Sequence, residues 1–436
     1  MLAMPGGQGN DDMIGVTQPS SAQLGPGGHW RNWVGNQSFI TRHKAVPGSE
    51  DELAALVREA SRQNLSIRAA GSGHSFTPIV ATSGLLLSLT NMQGLVSADL
   101  DRKRVVVLAG TRIGDIGRAL KEIGLSLANQ GDIDTQAIAG ALSTGTHGTG
   151  LGLGCLSSQA VGMRLVQPDG SVFDVDADRD SETMAAAQVS IGTLGVISTI
   201  TLQAVSAYNL KESLWREDFE SCMERHDDLA ANNRHFSFFW CPVAESRRLY
   251  CLPDVSAVSA VKREHDVCEM KVMNLTDEPP YSNEETFERV AYSSEIYPIE
   301  YVPNFHELEY AIPVASGKRA LRQIRELMLT KHTNCIYPVE YRFVAGDSGM
   351  LSPYYHRASV TVSVSGGPGI DYWSYLLDVD AILRQYEARP HWGKLHFNRA
   401  EDMPSLYPRF YDFQATRRKM DPSGRFLNDH LRNLFE

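Results

Sequence analysis

The sequence predicts an α+β protein of two domains, on three observations. At 436 residues the chain is too long for one ordinary hydrophobic core. Over the first 200 or so residues, strand and helix patterns mix without the strict alternation of a doubly wound nucleotide fold. Beyond that point amphipathic helices alternate with period-2 strands, the pattern of helices layered on an antiparallel sheet. Hydrophobic residues at 42% and charged residues at 21% fit a globular chain.

Taken in order, Met1 to Gly28 is rich in Gly, Pro, Gln and Ser and lacks a basic start and an apolar core. Residues 1–29 therefore read as a disordered tail and not a signal peptide. Ser49-Glu50-Asp51-Glu52 is a capping box, and Leu53, Leu56, Val57 and Ala60 follow at helical spacing, predicting a helix over 50–63. Leu65 to Ala70, Leu85 to Leu89 and Arg104 to Ala109 read as strands. Thr111 is placed to cap a helix whose Ile113, Ile116, Leu120 and Ile123 share a face, with Gly124 as its stop. Pro168-Asp169-Gly170 joins Val161–Val166 to Ser171–Val175 as a hairpin, and Gly195 to Val205 alternates as a strand. These elements make a first domain over 30–207. In the second, over 208–390, Lys318–Lys331 and Trp373–Ala388 read as helices, and Cys335–Val344 and Ala358–Ser365 as strands.

Composition excludes some functions. Lys and Arg number 41 against 52 Asp and Glu, a net charge of −11, which argues against binding nucleic acid. No apolar run is long enough to span a bilayer. The six cysteines (Cys155, Cys222, Cys241, Cys251, Cys268, Cys335) are scattered without metal-ligand spacing, so they read as reduced thiols of a cytoplasmic protein; no metal site is assigned. Oligomeric state is not legible.

Two glycine-rich runs carry the chemistry. Gly71-Ser72-Gly73-His74-Ser75-Phe76 ends a strand and can form a concave nest of N–H groups suited to phosphate, with one histidine beside it. The alternative is a solvent-facing loop with an incidental histidine. Gly140-Ala141-Leu142-Ser143-Thr144-Gly145-Thr146-His147-Gly148-Thr149-Gly150 is a second such run, and two nests suit a diphosphate better than one. Gly150-Leu-Gly-Leu-Gly154 lacks the strand-to-helix junction of a Rossmann turn. In the strand Val339-Glu340-Tyr341-Arg342-Phe343 the period places Glu340 and Arg342 on one face, and Ser359, Thr361, Ser363 and Ser365 share a face of the next strand. By itself this could be a solvated face with a cross-strand ion pair, and Lys394 could be an ordinary surface lysine.

The two runs, the Trp30-Arg31-Asn32-Trp33 start and, most discriminating, His391-Trp392-Gly393-Lys394 make the chain from about Trp30 to Phe435 resemble a known group. This is the sugar-1,4-lactone oxidase and alditol oxidase branch of the vanillyl-alcohol-oxidase flavoproteins. The resemblance implies a two-subdomain PCMH-type FAD-binding domain, an antiparallel-sheet substrate (cap) domain like that of D-arabinono-1,4-lactone oxidase, and a segment, 391–436, returning to the flavin. It implies that FAD is bound covalently through His74, with Ala69, Ala70, Gly71, Ser72, Gly73 and Ser75 around it. Gly131, Asp132, Ala137, Gly140, Thr144, Gly145, Thr146, His147, Val196 and Ile197 complete the cofactor set, His147 through its backbone. Lys394, Glu340 and Arg342 become the catalytic group, and Asp132, Glu307, Glu309 and Ser363 join them in binding substrate. Lys394 is expected beneath the flavin pyrimidine, where an ammonium stabilises the reduced ring. Gly131 is expected to leave room for dioxygen.

Two departures bear on substrate. Glu307 stands where alditol oxidases usually carry Gln, and Asp132 where they carry Ser; both favour an aldonolactone or a more elaborate sugar over a simple alditol. The reaction implied is hydride transfer from a carbinol C–H to flavin N5, with dioxygen reduced to hydrogen peroxide. Two other readings remain: a dehydrogenase on the same scaffold that serves a quinone or cytochrome, and a non-catalytic flavin- or sugar-binding module.

Overall fold

The structure, a computed structural model, describes residues 23–299, 301–302 and 304–436. Most of the expected N-terminal tail lies outside the described residues. Its last residues do not: Gly28–Arg31 pairs with Ser38–Thr41 as a short ribbon.

Two sheets build the first half. His43–Ala45, Leu85–Ser88 and Ile67–Ala70 form a three-stranded parallel sheet with Leu85–Ser88 in the centre. Ala160–Val166, Val172–Asp176, Val196–Gln203, Arg104–Leu108 and Leu95–Asp99 form a five-stranded antiparallel one. The helix Glu50–Arg62 packs Leu53, Leu56, Val57 and Ala60 inward, and the Ser49 hydroxyl accepts from the Glu52 N–H. The Glu52 carboxylate reaches back to the Gly48 N–H instead of completing the box on Ser49. The second expected cap is corrected more fully. The helix Ile113–Glu122 starts after Arg112 with no side-chain cap, because the Thr111 hydroxyl donates to Leu108 O and accepts from Gly94 N–H.

The second half is built on one nine-stranded antiparallel sheet. Its central run is Val267–Thr276, His235–Cys241, Val339–Val344, Ser359–Gly366 and His306–Pro313, with Arg389–Pro390 at one edge. The helices Phe219–Asn232, Gly317–Thr330 and Trp373–Leu383 bury their apolar stripes against one face of it, packing on Val339, Tyr341, Phe343, Val360, Val362 and Val364. Cys335–Pro338 falls outside the strand expected there, which begins at Val339.

Each half has its own core, and the chain crosses between them. Met403, Tyr407, Phe410, Phe413 and Phe435 pack into the core of the first half, while Phe76 from the first glycine-rich run packs into the core of the second. The sheet face opposite the helices carries Glu307, Glu309, Glu340 and Arg342, all buried. It is turned toward the glycine-rich runs, not toward solvent, because the Gly150 N–H donates to Phe343 O and the Phe343 N–H donates to the Thr149 hydroxyl.

Candidate active site

A cavity of about 270 Å³ runs along the first half. The parallel strand Ile67–Ala70 delivers the chain into the turn Gly71–Phe76, where Gly73 takes a left-handed φ of +75°. Ala69, Ala70, Gly71, Ser72, Gly73, His74 and Ser75 all line the cavity, with Ala137, Gly140, Thr144, Val196 and Ile197 opposite. A side chain at Gly140 would meet nothing within 4 Å, so the cavity comes up to its backbone. Gly145 is a correction. It ends the helix Ile138–Thr144 at φ +78°, and a Cβ there would press on Pro353, so its service is to the turn and not to the cavity.

His74 is held as a neutral ring. Burial, reinforced by the Lys394 charge, lowers its pKa to about 4. The ring stacks on Trp33 at 5.0 Å, Nε2 lies 3.4 Å from the Thr135 hydroxyl, and Nδ1 is buried with no partner. The Ser72 hydroxyl donates to Thr135 O and accepts from the Ala137 N–H, locking the turn against the segment that leads into the second glycine-rich run.

A smaller pocket of about 50 Å³ adjoins the cavity and shares Ile133, Gln136, Phe305, Glu307, His391 and Lys394 with it. Gly131, Asp132, Thr146, His147, Glu309, Glu340 and Arg342 line the small pocket only, so these four flavin-side residues sit at the junction with the cap sheet. Register explains the grouping. Glu309 and Glu340 are the direct partners of Ser363 from its two sides, and Thr361 pairs with Arg342, so all five project from one face. The Arg342 Nη2 atom is 3.1 Å from Glu340 and 3.6 Å from Glu309. Burial pushes the Glu340 carboxyl up to about 8; Arg342 opposes this, while Asp132, Glu309 and Glu307 add to it. Burial alone would raise Glu309 as well, but His147, Arg342 and His391 hold it well below the usual carboxylate range. Burial takes His391 down to about 3.

Lys394 lines both spaces and is ion-paired with Glu307. The Leu395 N–H donates to Glu307 O at 2.8 Å, which brings the two side chains together. The ammonium also lies 5.2 Å over the Phe76 ring. Ser363 does not line the pocket: its hydroxyl is spent on Glu307, to which it donates on the same sheet face. Gly131 is the other correction. Its Cβ would come 2.9 Å from His147 O, so the direction a side chain would take is met by backbone, while the glycine's other side lines the small pocket. Sequence reasoning missed Trp33 as the stacking partner of His74, Thr135, Phe305 between the two spaces, and Lys271, whose Nζ is 3.8 Å from Asp132. Only Trp33 lay within a motif already singled out. No cluster of metal-ligating side chains occurs among the described residues.

The cavity, the two glycine-rich runs and the capping sheet define a flavoprotein, and a FAD binding domain family model matches residues 42–176. A second model, D-arabinono-1,4-lactone oxidase, matches residues 271–434. The L-gulono-1,4-lactone dehydrogenase of Mycobacterium tuberculosis is 32% identical, the match spanning 93% of this chain and 98% of the relative. The L-gulonolactone oxidase of Mus musculus is 29% identical over 94% and 98%. The alditol oxidase of a Streptomyces species is 28% identical over 93% and 98%. A crystal structure of cholesterol oxidase from Brevibacterium sterolicum superposes with a TM-score of 0.79 at 14% identity, covering 97% of this chain and 99% of that one, a likeness of fold. The chain belongs to the sugar-1,4-lactone oxidase and alditol oxidase branch of the vanillyl-alcohol-oxidase flavoproteins. It is a FAD-dependent oxidoreductase.

Proposed function

We propose that this chain oxidises a carbinol of a sugar 1,4-lactone or related polyol, with FAD carried covalently on His74 and dioxygen as the acceptor. The observation that carries the reading is the small polar pocket of Glu309, Glu340 and Arg342, joined to the long cavity at Lys394 and Glu307. The residues present fit the cofactor. His74 offers a neutral ring with an unpartnered buried nitrogen, and Gly140 leaves its side of the cavity open to close approach. FAD bound there supplies the two-electron acceptor for the carbinol hydride.

The chain's own groups do the rest. A guanidinium donates in a fork and carboxylates accept, so Arg342 and Glu309 orient hydroxyls without a metal. Glu340, neutral below about pH 8, can donate to a ring or carbonyl oxygen. Lys394 places positive charge where the two spaces meet, and its pair with Glu307 gives the departing hydroxyl proton a destination. Phe305 and Phe76 keep that junction apolar.

Asp132 and Glu307 stand at the pocket in place of the Ser and Gln of alditol oxidases, and these two departures favour a lactone or a more elaborate sugar over a simple alditol. All six cysteines are free thiols, which supports a reducing, cytoplasmic setting, and no helix among the described residues is long and apolar enough to cross a membrane. A second reading is transfer to an acceptor other than dioxygen: the His147 carbonyl oxygen stands 2.9 Å from where a Gly131 side chain would begin, so this glycine is accounted for by close backbone approach without an oxygen path. A stopped-flow screen of flavin bleaching against lactones and alditols tests the substrate, and failure of every lactone and polyol to bleach refutes the reaction. Oxygen uptake against dye reduction separates the two acceptors.

A further inference from the structure

The ring of His147 is committed on both sides. Its Nδ1 lies 2.8 Å from Gly148 O and its Nε2 lies 2.5 Å from Glu309 Oε1, with each side chain 1% exposed. A carbonyl oxygen only accepts, so Nδ1 carries a hydrogen. A neutral ring would then face the carboxylate with a bare Nε2, lone pair to lone pair. The contact therefore holds a second proton between ring and carboxyl. The other oxygen of Glu309, Oε2, has no hydrogen-bond partner and stands 3.6 Å from Arg342 Nη2. Of the lysines and arginines, Arg342 alone comes within 4 Å of Glu309 among the described residues.

The remaining titratable groups facing the pair come from every element around it. Glu340 and Arg342 lie one strand further across the sheet, beyond Ser363, and Glu307 on Glu309's own. His391 and Lys394 come from the returning segment, Tyr354 from the loop beneath, and Asp132 from the flavin side. Without His147, a fully buried Glu309 would keep one close cationic partner, a guanidinium 3.6 Å away that is shared with Glu340, and the weaker influence of His391. A carboxyl so placed takes up a proton, because desolvation penalises its charged form.

We propose that His147 is a positioning residue for substrate recognition: it holds Glu309 as a carboxylate and leaves Oε2 free to fix Arg342 and accept from a substrate hydroxyl. It thereby links the second glycine-rich run to the cap sheet. The inference rests on the small pocket being the substrate site.

The test is kcat and KM from pH 5 to 9 for flavin-loaded wild type, His147→Gln, Glu309→Gln and the double variant, with the best lactone or polyol of the wild type. His147→Gln keeps an amide N–H for Oε1 and removes the extra proton. Its KM should rise about 10- to 100-fold at pH 6, the scale of losing a charged hydrogen bond. It should then recover as the pH climbs through the raised Glu309 pKa, with kcat moving less. Glu309→Gln should raise KM at every pH without recovery, and the double variant should match it. A His147→Gln profile parallel to that of wild type, or additive losses in the double variant, overturns the proposal. If His147→Gln does not accumulate as folded holoprotein, Glu309→Gln decides: an unchanged KM overturns the proposal, and an elevation at every pH upholds it. A wild type that oxidises no lactone or polyol overturns both this inference and the reading beneath it.

Discussion

Lys394 does its work from inside an ion pair. Glu307 holds it at the mouth shared by the two spaces, so its charge is positioned as well as supplied. Lys394→Ala should slow anaerobic flavin reduction by roughly 10²-fold, as when one charge-stabilising donor is removed, while flavin content stays constant. Reduction at the wild-type rate would refute the role. His74 is the residue expected to hold the cofactor: after acid precipitation the yellow colour should stay in the pellet for wild type and move to the supernatant for His74→Ala. Colour in the wild-type supernatant would show that no bond forms. Glu340 gives a pH signature with a definite sign. With its pKa raised to about 8 it is neutral at pH 7 and ionises above, so an activity that needs the neutral form falls as pH rises through that value. Glu340→Gln, permanently neutral, should keep activity within about tenfold at pH 7 and lose the alkaline fall, since a one-unit pKa change is a tenfold effect on an equilibrium. A variant as inactive at pH 7 as Glu340→Ala would mean that the carboxylate is the working form.

The elements that carry these residues were legible to different depths. A period of two needs only sequence, so the common face of Glu340 and Arg342 could be read from Val339–Phe343, and the fold class from helices alternating with such strands. Whether that face met water or protein was not readable, because the partner surface lies in another part of the chain. The same limit hid the link of His147 to Glu309 across 162 positions and that of Lys394 to Glu307 across 87. Thr111 misled because a capping hydroxyl must accept, and the Gly94 N–H takes its oxygen while its hydrogen goes to Leu108 O. Gly131 shows a glycine whose reason is a close approach. Its neighbour is His147 O at 2.9 Å, so an added methyl must displace the loop that positions Glu309. Gly131→Ala should therefore slow both half-reactions in stopped flow. Slowing of reoxidation by dioxygen alone would instead support a local oxygen path beside this glycine.

At the scale of the molecule, two separately packed halves must hold a site at their seam, and the backbone of four residues of the returning chain ties them together. The His391 and Leu395 N–H groups donate to Glu309 O and Glu307 O on the cap sheet. The Trp392 N–H donates to Thr144 O, and the Phe76 N–H donates to Gly393 O, on the flavin side. Trp392 anchors this strap: it is 1% exposed in the first core, stacks on Tyr407 at 5.4 Å, and its indole N–H donates to Leu351 O at 2.7 Å. Trp392→Ala should cost about 3–5 kcal/mol of stability, as for other large aromatic truncations. Phe413, fully buried in the same core and touching neither cavity nor pocket, provides the control of similar size. Both variants should lower Tm, but only Trp392→Ala should also slow anaerobic flavin reduction, by about tenfold or more for a displacement near 1 Å at the Lys394–Glu307 pair. The measurement belongs well below both melting temperatures, so that loss of folded protein does not enter the rate. Equal reduction rates in the two variants would mean that the strap contributes stability alone and that the cap sheet holds Lys394 without it.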